Sequence, residues 1–146
     1  MSNHLIIRDA VWDDIESITQ LMDDMSYPTT IEEVEVRFKN IIAHPDYRTI
    51  LAVMNNEIVG LAGLQKGHFY EKNGMYLRVL AFVVKENARG LGVGRFLLSA
   101  TESWAVEQGL NAVIINSGNR EDRVVAHAFY HKMGYVVKSS GFVKQL

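Results

Sequence analysis

A glycine-rich segment in the second half of the chain limits the possible folds more than any other feature. Its sequence is Arg89-Gly90-Leu91-Gly92-Val93-Gly94-Arg95, and it joins a strand-like apolar run at residues 79–84 to a helix-like run at residues 96–104. Glycines at alternate positions let a backbone bend tightly and bring its N–H groups close to a ligand. The helix N-terminus that follows attracts anions, and the two arginines add cationic donors. The segment is therefore expected to hold an anion such as a pyrophosphate.

Two common phosphate-binding motifs do not fit this segment. A P-loop requires Gly-x-x-x-x-Gly-Lys followed by Ser or Thr. Counted from Gly90, Arg95 stands where the second glycine should be, and Phe96 stands where the lysine should be. A Rossmann dinucleotide fingerprint requires a glycine where Arg95 stands. Because both fingerprints fail at the same residue, a nucleotide-binding protein is disfavoured.

The order Arg-Gly-x-Gly-x-Gly, after a strand and before an amphipathic helix, resembles the coenzyme A pyrophosphate loop of the GCN5-related N-acetyltransferase (GNAT) family. Residues 5–10, 57–63, 126–135 and 142–146 resemble further family segments, in order and at family spacing. The resemblance implies an α/β (α+β) fold with a mixed six- or seven-stranded central sheet and helices on both faces. It also implies a splayed cofactor cleft between the fourth and fifth strands, Met75–Val84 and Ala112–Ile115.

The composition is that of an ordinary globular protein. With 146 residues, 48% of them hydrophobic and 22% charged, a single domain at 1–146 is expected. The net charge of −2 argues against nucleic acid as a partner. The chain has no cysteine, which excludes disulfides, thiol nucleophiles and cysteine metal sites, and no bound metal is expected. Since no signal peptide or membrane-length apolar run is visible, we expect a cytoplasmic protein with no membrane partner.

Apolar spacing predicts two helices before the first hairpin. The first, at about residues 11–25, has one apolar face formed by Ile15, Ile18, Met22 and Met25. The second begins at Thr30, which has capping-box spacing with Glu33, and its apolar stripe is Val34, Phe38 and Ile41. A hairpin turn is predicted at Asn55 and Asn56, because asparagine tolerates positive φ.

Two more helices are predicted after the glycine segment. The first of them is expected to end at Gly109 and to bury Val93, Leu97, Ala100 and Trp104. The last helix is predicted at about residues 121–133, ends at Gly134, and has a core stripe of Val125, Phe129 and Met133.

The resemblance also implies which residues bind acetyl-CoA. In this family the end of the fourth strand pairs with the pantetheine arm, and the glycine segment holds the pyrophosphate. Many members have an asparagine three residues before the alanine that corresponds to Ala126, but here Arg123 stands there. Either Asn119 replaces that contact or the contact is missing. The predicted cofactor-binding residues are Phe82, Val83, Val84, Arg89, Gly90, Leu91, Gly92, Val93, Gly94, Arg95 and Asn119.

Tyr130 is the predicted catalytic residue. It has the family's Ala-x-x-x-Tyr spacing from Ala126, and a tyrosine within hydrogen-bond reach can protonate a departing thiolate as a general acid. The alternative is a tyrosine with a packed ring and a solvent-facing hydroxyl. The general base is open, because the glutamate that some relatives use corresponds to Tyr76, whose phenol stays protonated at neutral pH. His68, Glu71 and a water chain remain as routes for the proton.

The sequence therefore predicts an acetyl-CoA-dependent N-acetyltransferase that acetylates a primary amine by direct attack in a ternary complex. A small-molecule acceptor is expected, of the amino acid, polyamine or aminoalkylphosphonate type, with Arg37, Arg48 and Arg78 as candidate anion partners. The resemblance places acceptor specificity in the first two helices and the loop around residues 67–74. Two alternatives stay open: a non-catalytic acyl-CoA-binding sensor or regulatory module, and a protein N-terminal or lysine acetyltransferase.

A homodimer is also expected, through a closing strand at residues 142–146. Relatives often pair through their closing strands, and Phe142 and Leu146 give this one apolar side chains. An exposed strand edge invites pairing with a second copy unless charge or proline blunts it, and only Lys144 does so here.

Overall fold

The computed structural model describes residues 4–116 and 124–146. Its contacts divide the chain into two compact units, one ending at Ile114 and the other beginning at Ile115. Among the described residues, no helix is long and apolar enough to cross a membrane. The elements, in chain order, are β1 (Leu5–Asp9), α1 (Ile15–Asp24), α2 (Ile31–Ile42), β2 (Tyr47–Met54), β3 (Glu57–His68), β4 (Met75–Val84), α3 (Val93–Glu107), β5 (Ala112–Ile115) and α4 (Val124–Lys132).

The five strands form one mixed sheet in the order β1-β2-β3-β4-β5. The first four are antiparallel neighbours, so that Leu51 of β2, Leu61 of β3 and Val83 of β4 lie in one row across the sheet. β5 starts beside the start of β4, because the Asn111 N–H donates to the Met75 carbonyl oxygen at 2.8 Å. A crossover through α3 joins β4 to β5, as a parallel pair requires.

Helices cover both faces of the sheet. Leu51, Leu61 and Val83 belong to one buried hydrophobic cluster with residues of α1 and α2. Gly60 precedes Leu61 and so points to the opposite face. A Cβ at Gly60 would lie 3.3 Å from Cγ1 of Val93, the first residue of α3. Glycine at this position therefore lets the start of α3 pack directly on β3, which positions the loop that precedes the helix.

β4 contains a β-bulge at Leu80. The register with β3 skips this residue, since Val79 and Ala81 are opposite consecutive residues of β3. An extra residue in a strand inverts which sheet face the side chains of the preceding residues point to. Ala81 packs against the cluster formed with α1 and α2, so Arg78 lies on that same face and Val79 lies on the α3 face.

The turn and cap residues predicted from the sequence are confirmed. The Thr30 N–H donates to Glu33 Oε1 at 3.0 Å and the Glu33 N–H donates to Thr30 Oγ1 at 3.2 Å, which forms the capping box. Asn55 and Asn56 have φ angles of 52° and 67° and form the turn between β2 and β3. Positive φ angles also occur at the two glycines predicted to end helices, Gly109 at 72° and Gly134 at 94°.

The structure differs from the expectations in three places. The described residues contain five strands where six or seven were expected, because residues 135–146 form neither helix nor strand. In α3, Ala100 and Trp104 are only half-buried, and the buried residues are Val93, Leu97, Leu98, Thr101 and Ala105. In α4 no residue is buried and Val125 is 82% exposed, so its predicted core stripe with Phe129 and Met133 is wrong.

Candidate functional site

The glycine segment forms a short loop between β4 and α3. β4 is followed by one 3-10 turn at Glu86–Ala88, and α3 begins directly after Gly92, its N-cap residue. Gly90 and Gly92 have φ angles of 80° and 84°, in the left-handed region that favours glycine. Gly94 is the second residue of α3 and adopts no positive φ. Two of the three glycines therefore shape the loop, and the third belongs to the helix.

The loop leaves backbone N–H groups available at the start of α3. The first bond of the helix runs from the Phe96 N–H to the Gly92 carbonyl oxygen at 3.0 Å. The N–H groups of the residues before Phe96 therefore have no carbonyl of the helix to bond. Gly92 has no side chain to cap them, and a Cβ at Gly90 or Gly92 would meet no atom of the described residues within 4 Å. This open helix N-terminus is suited to an anion with several oxygens.

Two arginines flank the loop with positive charge. Arg89 and Arg95 are exposed, and neither forms an ion pair within the described part of the chain. Lys85, in contrast, forms an ion pair with Glu57, with Nζ and Oε1 2.8 Å apart, and this hydrogen bond raises the pKa of Lys85. The charge of Lys85 is thus balanced within the protein, whereas no described residue balances the charge of Arg89 or Arg95.

The residues expected beside the pantetheine arm lie at the end of β4, directly before the loop. Val83 is buried on the face of α1 and α2, and Phe82 and Val84 are half-buried on the α3 face. The carbonyl oxygen of Val84 accepts a hydrogen bond from Arg89 Nε at 3.3 Å. Ten of the eleven predicted cofactor residues therefore lie in one continuous stretch of the first unit. The eleventh, Asn119, lies outside the described residues, as does Arg123.

Tyr130 belongs to the second unit and lies near the end of α4. Its half-buried ring contacts the rings of Phe129 and Tyr135, with centroids 5.7 and 6.4 Å away. Its carbonyl oxygen accepts the Tyr135 N–H at 3.0 Å, and the Gly134 N–H donates to the His131 carbonyl oxygen at 3.1 Å. Together these bonds form a Schellman ending. The ending fixes the backbone that carries the Tyr130 phenol within the second unit.

The candidates for the general base lie near the junction of β3 and β4, in the first unit. His68 is the last residue of β3, and Glu71 lies in the following loop; both are exposed. Tyr76, near the start of β4, packs its ring 5.2 Å from that of Phe69. Both candidate side chains are therefore accessible from solvent.

Sequence reasoning missed two features of this region. The bulge at Leu80 lies in a continuous apolar run, which has no alternation in which an extra residue would show. The second feature is a pair of cation contacts on Trp104, whose ring centroid lies 4.9 Å from the Arg48 guanidinium carbon and 5.6 Å from Lys66 Nζ. The sequence signal for these contacts was weak, because it consisted only of a tryptophan on an amphipathic helix.

Comparison with known proteins points to one family. The sequence model described as "Acetyltransferase (GNAT) family" matches residues 12–135. The crystal structure of a GNAT family acetyltransferase from Staphylococcus aureus subsp. aureus USA300_TCH1516 is 38% identical to this chain, with a TM-score of 0.83. That match covers 100% of both chains.

Two further proteins are similar to this chain at lower identity. A protein named IAA acetyltransferase, from Azospirillum brasilense, is 29% identical over 88% of this chain and 78% of its own length. An aminoglycoside N-acetyltransferase, solved in complex with CoA, is 15% identical with a TM-score of 0.81, over 100% of this chain and 97% of its own. At that identity the likeness shows the fold alone.

Proposed function

The chain belongs to the acetyltransferase (GNAT) family and is an N-acetyltransferase, and from that premise we propose a specific reaction for it. It transfers the acetyl group of acetyl-CoA to the primary amine of a small molecule, by direct attack in a ternary complex. The acceptor belongs to the amino acid, polyamine or aminoalkylphosphonate type.

The geometry of the glycine loop carries the donor half of this proposal. The loop has two glycines at positive φ and, at the start of α3, N–H groups that no carbonyl of the helix accepts. Its two arginines, Arg89 and Arg95, form no ion pair with any described residue. These are the donors that a pyrophosphate needs. The end of β4 would lie along the pantetheine arm. The match to the acetyltransferase (GNAT) family model supports acetyl-CoA as the donor.

Tyr130 is proposed as the general acid. Acetyl-CoA supplies an acetyl thioester, and attack of the amine on its carbonyl carbon releases a thiolate. The Tyr130 hydroxyl donates its proton to that sulfur, which makes the leaving group a thiol. Support comes from the family spacing of Tyr130 and from the helix ending that fixes its backbone.

The acceptor must lose a proton before its nitrogen can attack. His68, Glu71 and solvent water are the three proposed routes for that proton. Single variants His68→Ala and Glu71→Gln separate these routes. The variant that lacks the general base should lose the rise of turnover with pH, whereas a variant of any other residue should keep the pH dependence of the unaltered enzyme. If both variants keep that pH dependence, water is the route.

A thiol-release assay tests the proposed function. Purified protein and acetyl-CoA are combined with amino acids, polyamines, aminoalkylphosphonates and peptides with free N-termini, and CoA release is followed. Release with a small amine, and not with peptides, supports the proposal. Release with peptides alone favours a protein acetyltransferase, and CoA binding without release on any amine favours a sensor.

A tyrosine pair tests the assigned general acid. We expect Tyr130→Phe to lower turnover roughly 100-fold, as for a lost general acid, with unchanged affinity for CoA. Tyr135→Phe is the matched control, because Tyr135 contacts Tyr130 at the same helix end. Equal turnover in all three proteins would make Tyr130 a packing residue.

A further inference from the structure

One buried cationic nitrogen has no hydrogen-bond partner. Nε of Arg78 is inaccessible to solvent, and within residues 4–116 and 124–146 nothing accepts its hydrogen. Arg78 also forms no ion pair with any described residue. A buried donor left without an acceptor destabilises the folded protein, so most such groups in native proteins have a partner. A ligand that brings an acceptor to Arg78 would remove this destabilisation.

The bulge at Leu80 decides which face Arg78 occupies. Without the extra residue, alternation from Ala81 would place Arg78 on the α3 face. With it, Arg78 lies on the face packed by α1 and α2, beside Gln65 of the neighbouring strand. α1 and α2 are the two helices in which the family resemblance places acceptor specificity. The same bulge keeps Val79 in the core under α3, where it is 1% exposed.

One aromatic ring lies against the Arg78 side chain, and a second ring links the first to the loop before β4. Its guanidinium carbon lies 5.3 Å from the centre of the Tyr76 ring, and that ring packs against Phe69. Lys72 Nζ lies 4.5 Å from the Phe69 ring centre, which adds a second cation at the other end of this row. A Cβ at Gly67 would overlap the Tyr76 ring, so glycine there makes room for it across β3. Arg78 and Lys72 therefore place positive charge at the two ends of a pair of packed aromatic rings.

The other two arginines considered as anion partners are already engaged. Arg48 forms an ion pair with Asp9, with Nε and Oδ1 2.7 Å apart, and lies over the ring of Trp104. Arg37 is exposed on α2 and donates to Thr29 Oγ1 beside the capping box. Of the three arginines, only Arg78 has a buried donor for which no described residue provides an acceptor.

We propose that Arg78 binds an anionic group, a carboxylate or a phosphonate, on the acceptor amine. The inference rests on the proposed function and narrows its acceptor to molecules that carry both an amine and an anion. A planar guanidinium can donate two parallel hydrogen bonds to such a group, and the Tyr76 ring lies against the guanidinium of Arg78. Arg78 thereby orients the acceptor and does not take part in bond making. Polyamines, which have no anion, are poor acceptors.

Matched acceptor pairs test this assignment in the intact protein. Each pair differs only in the anion: an amino acid and its amide, or an aminoalkylphosphonate and the parent alkylamine. We expect the unaltered enzyme to prefer the anionic member by about 10- to 100-fold in kcat/KM, the range of a charged hydrogen-bond pair. Arg78→Gln should remove the preference by raising KM for the anionic member, with KM for the neutral member unchanged. Arg78→Lys should recover part of it, because lysine keeps the charge without the planar fork.

Controls separate this role from a general effect of charge or folding. Arg37→Gln removes an exposed arginine from the same half of the chain and should leave the preference intact. Melting temperatures show whether each variant is folded, and Arg78→Lys gives a second variant if Arg78→Gln is unstable.

Each outcome of the pair experiment decides a specific point. Selective loss in Arg78→Gln supports the proposal. If the unaltered enzyme uses both acceptors of a pair equally, the role of Arg78 is overturned and the proposed N-acetyltransferase reaction stays in place. The same holds if Arg37→Gln loses the preference for the anionic acceptor as fully as Arg78→Gln does. If no amine releases thiol, the proposed function fails and this inference fails with it.

Discussion

Gly92 and Gly109 stand at the two ends of α3, and both have left-handed φ angles, 84° and 72°. A Cβ at either position would meet no atom within 4 Å in the part of the chain that the structure describes. Alanine is therefore opposed there by backbone strain and not by crowding. That strain is about 1–2 kcal/mol for an L-residue. The two glycines therefore form a matched pair, in which one lies at the proposed anion loop and the other does not.

We expect Gly92→Ala and Gly109→Ala to lower stability by similar amounts, and only Gly92→Ala to weaken CoA binding. The loss in binding should be about tenfold or more, or about 1.4 kcal/mol, because the loop N–H groups no longer converge on the pyrophosphate. Calorimetric titration with CoA measures it. Equal affinity in the two folded variants would mean that this loop does not hold the cofactor.

Single residues were predicted best where their own chemistry dictates the backbone. Gly90, Gly92 and the pair Asn55–Asn56 have the positive φ angles expected, since few other residues adopt them readily. The capping box of Thr30 was likewise predictable from two side chains. Trp104 was placed wrongly because spacing alone does not say which side of a helix meets the sheet. Arg78 was one of three equivalent arginines in the sequence, and only the contacts of the other two distinguish it.

At the scale of elements, one ion pair joins β1 to the start of α1. Arg8 donates two hydrogen bonds to Asp14, at 2.8 and 2.9 Å, and the Val11 N–H donates a third at 2.8 Å. Asp14 is only 7% exposed. The Arg8 hydrogen bond lowers the pKa of Asp14 below its ordinary value of 3.8, against the opposing effect of burial.

This pair should make stability sensitive to acid. Since the folded pKa of Asp14 is lowered, the pair stabilises fully above the unfolded value of 3.8 and is lost as pH falls through the folded pKa. Asp14→Asn should lower the free energy of unfolding by about 1–2 kcal/mol at neutral pH and flatten its decline in acid. Urea unfolding between neutral pH and about pH 2.5 measures both.

Asp13→Asn is the matched control, because Asp13 is the exposed neighbour of Asp14 in the same turn. It should leave the decline of the unfolding free energy at acid pH unchanged. An identical decline in the unaltered protein and in Asp14→Asn would show that other carboxylates govern the acid response.

Elements were predictable where a periodic pattern is bounded by turn residues, as for α2, β2 and β4. The β4 bulge was not, because residues 79–84 are apolar throughout and either face would accept them. Residues 142–146 alternate like a strand, but a strand forms only where a neighbour completes its hydrogen bonds. In the structure this segment is not a strand.

At the scale of the whole molecule, we propose that the protein forms a homodimer. Residues 142–146 do not form the expected closing strand. In the second unit, however, the side chains of Phe142, Val143 and Leu146 are at least 85% exposed. Clustered exposed apolar side chains mark interaction surfaces. Light scattering at micromolar concentration should give twice the chain mass of 16.5 kDa.

Two glutamate substitutions test this surface. Phe142→Glu should shift the equilibrium to monomer, because it introduces charge into the proposed contact. Val106→Glu, which replaces a residue 76% exposed on α3, should not shift it. A monomer mass for the unaltered protein would reject the dimer.

The tryptophan fluorescence of the protein comes from one of its two units. Its two tryptophans, Trp12 beside Phe38 and Trp104 beneath Arg48, both belong to the first unit, and the second unit has none. Intrinsic emission excited at the red edge of absorption therefore reports on the first unit alone. Circular dichroism also records α4 of the second unit. A melting curve followed by both signals thus shows, without any label, whether the two units lose their structure together.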